Sequence, residues 1–104
     1  MKEISVSELK KKMDANENFQ LIDVREDYEV EIAHIGGLHI KMGDVMEQLE
    51  QIRKDIPVYV HCRSGKRSAA VVNALEAQGY KDVYNVAGGI LAWADEIDPT
   101  MEKY

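Results

Sequence analysis

One strand–turn–helix unit in the middle of the chain narrows the possible folds more than any other feature. The apolar run Ile56-Pro57-Val58-Tyr59-Val60 reads as a buried strand. Ala69-Ala70-Val71-Val72-Asn73-Ala74-Leu75-Glu76-Ala77-Gln78 reads as a helix stopped by Gly79. Between them lies the polar turn His61-Cys62-Arg63-Ser64-Gly65-Lys66-Arg67-Ser68. The rest of the chain repeats the alternation. Ser5 and Glu8 form a capping-box pair that opens a helix through about Asp14. Phe19–Val24 is a strand, Arg25 to about Ile32 a short charged helical turn, and Ile35–Ile40 a glycine-broken segment ending in a brief strand. Gly43 to about Ile52 has helical spacing at Val45, Met46, Leu49 and Ile52. Val83–Val86 is a further strand, Gly88-Gly89 a turn, and Ile90 to about Glu96 a last helix. Strands alternating with helices imply an α/β fold, a parallel sheet with helices on both faces. Ligands of such sheets sit beyond the carboxyl ends of the strands, where this reading places Cys62, Asp23 and the Ala87-Gly88-Gly89 turn.

Bulk properties set limits on function. The 104 residues suffice for one domain, 1–104, with a modest core. Apolar runs are too short to span a membrane, and Met1-Lys2-Glu3-Ile4-Ser5 lacks the apolar stretch of a signal peptide, so a cytoplasmic protein is expected. A single cysteine leaves no internal disulfide and no Cys-rich metal site, and no metal or cofactor is expected. Thirteen Lys and Arg against nineteen Asp and Glu give a net charge of −6, which argues against nucleic acid as a partner. The cysteine turn is the one concentrated basic cluster, suited to a small anion or an acidic segment of a partner protein.

A lone cysteine in a small protein is most often an inert buried hydrophobe. Cys62 keeps different company: Arg63, Lys66, Arg67, Gly65, Ser64 and Ser68. Backbone N–H groups in a strand-to-helix turn point inward as an anion cradle, and the helix N-terminus adds partial positive charge. A thiol placed there is expected to be acidified and to meet anionic substrates.

Three stretches carry a family resemblance. Leu21-Ile22-Asp23-Val24-Arg25-Glu26 with Ala33-His34-Ile35-Gly36-Gly37 resembles the opening signature of rhodanese-homology domains. Cys62-Arg63-Ser64-Gly65-Lys66-Arg67-Ser68 resembles their six-residue active loop and the start of its helix. Asn85-Val86-Ala87-Gly88-Gly89-Ile90-Leu91-Ala92-Trp93 resembles their closing signature. The likeness covers essentially the whole chain, in order and spacing. Two departures lie in a loop near the site: Gly36-Gly37-Leu38 where the family often has Pro-Gly-Ala, and Lys41 where proline is common. They bear on acceptor and partner preference.

The resemblance implies a stand-alone rhodanese-like domain, three-layer α/β/α with a central parallel sheet of about five strands. It implies a thiosulfate sulfurtransferase activity in which Cys62 takes a sulfane sulfur from thiosulfate or a persulfide donor. The Cys62 persulfide then passes it to a thiol or cyanide. Loop N–H groups from Arg63 to Ser68 would stabilise thiolate and persulfide as an oxyanion hole does. Gly65 would let the loop turn inward, and the hydroxyls of Ser64 and Ser68 would donate to sulfur or finish the helix N-terminus. Arg63, Lys66 and Arg67 would attract the donor; which of them faces it stays open. Asp23 and Arg25 are read as an ion pair bracing the loop, with a surface pair as the alternative. His61 precedes Cys62 on the strand, so its side chain is expected to face away. His34 is read as structural, Ile90 and Trp93 as packing, and the acidic run Glu26, Asp27, Glu29 and Glu31 as a solvated face.

Three other functions compete. A persulfide carrier serving a protein donor or acceptor would share the chemistry. A cysteine-dependent phosphatase needs an arginine six positions after the cysteine to clamp phosphate. Ser68 holds that position and Arg67 comes one residue early. A non-catalytic binding module of the same fold would have no use for the cysteine and its cationic loop.

Overall fold

The computed structural model describes residues 1–104. Five strands form one sheet: β1 (Lys2–Ile4), β2 (Gln20–Asp23), β3 (Leu38–His39), β4 (Val58–His61) and β5 (Val83–Val86). They lie in the order β1-β5-β4-β2-β3, and every pairing is parallel. Four α-helices connect them: α1 (Val6–Asp14), α2 (Asp27–Ile32), α3 (Lys66–Ala77) and α4 (Gly89–Glu96). No helix is long and apolar enough to cross a membrane.

Strand alternation divides the core between two faces. Ile22, Val24, Val58, Val60, Cys62 and Val83 point to one side, against Val71, Val72 and Leu75 of α3. Leu21, Tyr59, Ile4 and Val86 point to the other, against Val6 and Leu9 of α1 and Trp93 of α4. This is the expected three-layer α/β/α arrangement, and buried Ile90 and Trp93 are the packing residues their spacing suggested.

Local chemistry explains most boundaries. Ser5 caps α1 by accepting from the Glu8 amide at 3.1 Å, and the Glu8 carboxylate accepts in return from the Ser5 amide, the capping box read from the sequence. Two elements differ from expectation. Residues 43–52 do not form an α-helix; they form two 3-10 turns, Met42–Glu47 and Leu49–Gln51. Apolar residues three apart suit either period, and here the amides of Asp44, Gln48 and Ile52 reach back three residues. The strand β1 also has no counterpart in the sequence reading. It is a three-residue edge strand with one buried side chain, too short to display alternation.

Candidate active site

The carboxyl ends of β2, β4 and β5 converge, and Cys62 sits one residue past β4. Its side chain is fully buried, 0% exposed. The loop after it turns through Gly65, whose φ of 101° is left-handed and costs a glycine little. That turn aims two amides at the sulfur: Gly65 N lies 3.1 Å from Sγ and Ser68 N 3.4 Å. The Ser68 hydroxyl is also 3.4 Å from Sγ. Burial pushes the Cys62 thiol up, but the hydroxyl and amide of Ser68 and the amides of Gly65 and Ser64 outweigh it, and the net shift is down.

The loop carbonyls face the other way because α4 holds them. Ile90 N donates to the Cys62 carbonyl at 3.0 Å and Leu91 N to the Arg63 carbonyl at 3.1 Å. A Cβ on Gly89 would lie 2.5 Å from both oxygens, so this approach requires glycine there. Asn85 of β5 adds a buried brace, accepting from the Ser68 hydroxyl at 2.5 Å and donating to the Gly65 carbonyl at 3.2 Å. With carbonyls fixed outward and amides inward, the turn is an anion cradle.

The cations have other partners. Arg67 makes a forked pair with Glu29, at 2.6 and 2.9 Å. Arg63 donates through Nε and Nη2 to the backbone oxygen of Tyr104, and its guanidinium carbon lies 5.1 Å from the Tyr104 ring centroid. Lys66 is exposed and makes no hydrogen bond or ion pair within the chain. Thus hydrogen bonds acidify the thiol, and two of the three loop cations are engaged inside the molecule. Ser64 contributes its amide; its exposed side chain makes no hydrogen bond to the sulfur.

Glu29 corrects the reading of the acidic run as a solvated face. Its side chain is 2% exposed, and it accepts from Arg67 and, at 2.7 Å, from the Tyr104 hydroxyl. Arg67, opposed by burial and aided by Tyr104, holds the Glu29 carboxyl at about 2. Asp23 and Arg25 are a deeply buried pair, which removes the surface alternative. The 0%-exposed Arg25 donates to both Asp23 oxygens, at 2.8–3.2 Å, to the carbonyls of Glu29 and Ala33, and to the Tyr104 hydroxyl. The pair reaches the Cys62 loop through Glu29–Arg67 and Tyr104–Arg63. His61 faces away from Cys62, as alternation requires, and lies 3.7 Å from Asp23. Its ring nitrogens make no hydrogen bond, and burial keeps the imidazole neutral.

The family model described as Rhodanese-like domain matches residues 5–96. The chain belongs to the rhodanese-like family. It is 48% identical over 100 residues to "Putative sulfurtransferase YtwF" of Bacillus subtilis (strain 168), covering 95% of this chain and 96% of that protein. It is 36% identical over 97 residues to "Putative sulfur carrier protein YrkF" of the same organism, covering 92% of this chain but only 52% of that relative. Among solved structures, the Rhodanese-like Domain Protein from Staphylococcus aureus matches with a TM-score of 0.85 and 38% identity, over 100% of this chain and 99% of that one.

In this rhodanese-like domain the structure brings Cys62, Gly65, Ser68 and the Ser64 amide together. It turns Arg67 toward Glu29 and Arg63 toward Tyr104. Sequence reasoning passed over Asn85, Glu29 and Tyr104. Asn85 carried a signal: it is a polar residue between Tyr84 and Val86 in an otherwise apolar strand. Glu29 lay hidden among neighbouring acids, and Tyr104 had no local pattern at all.

Proposed function

We propose that this protein is a sulfurtransferase that works through a Cys62 persulfide. The observation that carries the reading is the lone thiol held under the amides of Gly65 and Ser68 in a six-residue loop. The Cys62 thiolate attacks the outer sulfur of thiosulfate or of a persulfide donor. A sulfur–sulfur bond forms, the donor's sulfur–sulfur bond breaks, and sulfite or a thiolate leaves with the electron pair. A thiol or cyanide then attacks the outer sulfur of the Cys62 persulfide, and the Cys62 thiolate departs. These are the two halves of a ping-pong cycle. Burial opposes each anionic state of the cysteine, and preorganised amides offset that cost as an oxyanion hole does. The likeness to YtwF, described as a putative sulfurtransferase, supports this reading. The likeness to YrkF supports a second, in which the persulfide is delivered to a protein partner by the same chemistry.

Phosphate chemistry fits less well. The arginine a phosphate would need is one position early and already forks onto Glu29. Incubation with thiosulfate followed by intact mass measurement tests the proposal. A gain of one sulfur atom, reversed by cyanide with release of thiocyanate, is expected. Efficient hydrolysis of an aryl phosphate, with no sulfur taken from thiosulfate, polysulfide or a persulfide, would overturn it.

A further inference from the structure

We propose that Tyr104 is a specificity-determining residue, which competes with anionic sulfur donors for the guanidinium of Arg63. The proposal rests on the sulfurtransferase reading above, and it concerns which donors the Cys62 loop admits. Tyr104 is held at three points. Its hydroxyl accepts from Arg25 at 2.9 Å and donates to Glu29 at 2.7 Å. Its ring lies against Arg63 and Arg25, with centroid distances of 5.1 and 5.9 Å. Its backbone oxygen accepts from both Nε and Nη2 of Arg63, the two donors with which the guanidinium would meet a donor oxyanion. Further back, Met101 and Ile97 pack against the apolar cluster that contains Trp93, and Lys103 pairs with Asp95, so the segment is laid from α4 toward the loop.

The consequence is a charge filter. Arg63 adjoins the nucleophile but has its fork filled by an oxygen of the chain, and Arg67 has its fork filled by Glu29. A dianion such as thiosulfate, drawn to Arg63, must first displace Tyr104. A neutral or weakly charged donor forms no such contact and meets the amide cradle without that competition. Removing the Tyr104 side chain deletes the hydroxyl and ring anchors and releases the backbone oxygen from Arg63. Glu29 keeps Arg67 and Arg25 keeps Asp23, so the buried pairs stay intact.

Alkylation of Cys62 by iodoacetate and by iodoacetamide tests this on the full chain, with no sulfur transfer required. The two reagents share their leaving group and differ in charge, so their rate ratio reads anion access and cancels changes in thiol acidity. In Tyr104→Ala the iodoacetate-to-iodoacetamide ratio is expected to rise about two- to fivefold, the range of a solvent-exposed charged contact. In Tyr104→Phe, which keeps the ring, it is expected to rise less. In an Arg63→Ala background the Tyr104→Ala effect is expected to vanish. The KM for thiosulfate should fall by a similar factor in Tyr104→Ala, with kcat held. An unchanged or lower ratio, or the same rise without Arg63, would overturn the role of Tyr104. Failure to take sulfur from any donor, with the ratio moving as described, would overturn the sulfurtransferase reading and leave the charge filter standing.

Discussion

The Cys62 loop and the Asp23–Arg25 knot sit at the carboxyl ends of neighbouring strands, and they hold negative charge by opposite means. Around Cys62 the groups nearest the sulfur are backbone amides and a hydroxyl at 3.1–3.4 Å, none of them formally charged. Around Asp23 the carboxylate is met by a buried guanidinium at 2.8–3.2 Å that is itself saturated by carbonyls and a phenol. A buried ion pair is rigid because each charge would be left unpaired if it moved. Amide donors fixed by the backbone keep their places whatever charge the sulfur they face carries. The difference separates a region built to hold one state from a region built to tolerate several.

The largest effect that can break this comparison is loss of the thiol. Cys62→Ser should reduce thiocyanate production from thiosulfate and cyanide to background while urea denaturation shows a folded protein; substantial turnover would mean that the loop is not where sulfur is carried. Next comes the knot. Arg25→Ala leaves Asp23 buried without its partner and should cost about 3–5 kcal/mol of stability, read by denaturant midpoint. A loss below about 1 kcal/mol would show that solvent or another group substitutes for it.

Acid should attack the rim between the two regions. The Glu29 carboxyl is lowered from 4.5 to about 2, chiefly by Arg67. A depressed carboxyl stabilises the fold above its unfolded value, so this contribution is present at neutral pH and is lost as pH falls from about 4.5 toward 2. Its size is at most about 3 kcal/mol, because Arg67 is a third exposed and partly screened. Glu29→Gln should flatten the stability profile in that window; an unchanged acid limb would contradict the pairing. In the loop itself, Ser68→Ala should move the alkylation midpoint of Cys62 upward, since it removes a hydroxyl 3.4 Å from the sulfur. A midpoint that stays put would leave the amides alone in charge. Smallest of all, Lys66→Ala should weaken thiosulfate kcat/KM by about two- to fivefold and added salt should act in the same direction. No change in either would mean that the free lysine takes no part in attracting the donor.

What could be read beforehand followed the range of the interaction. The strand–turn–helix around Cys62 was legible because its determinants are local: an apolar run, Gly65, and a helix beginning at once. The parallel sheet was legible for the same reason, since each β–α step announces itself within a few residues. The charged partners were not. Arg67 and Glu29 stand 38 positions apart, and Arg63 and Tyr104 stand 41 apart. Composition shows that opposite charges exist but not which pair. A cluster of basic residues beside a cysteine therefore looked like a reception area for a donor, when two of its members are tied within the chain. Residues 43–52 misled for a subtler reason: spacing of three and four residues fits an α-helix, but the chain there closes tighter turns.

The strand order carries a consequence for how the molecule is made. Lys2 and Ile4 pair with Tyr84 and Val86, so the first strand has no neighbour until β5 has been made. The carbonyls of Cys62 and Arg63 likewise wait for the amides of Ile90 and Leu91. During translation, at roughly 5–20 residues per second, the cysteine emerges before the clamp that orients its cradle. For those seconds the nascent thiol lacks the fixed array of amides that acidifies it, and it meets the cell as an ordinary cysteine. The cradle around the sulfur is complete only when the last strand slots between the first and the fourth and α4 closes on the loop.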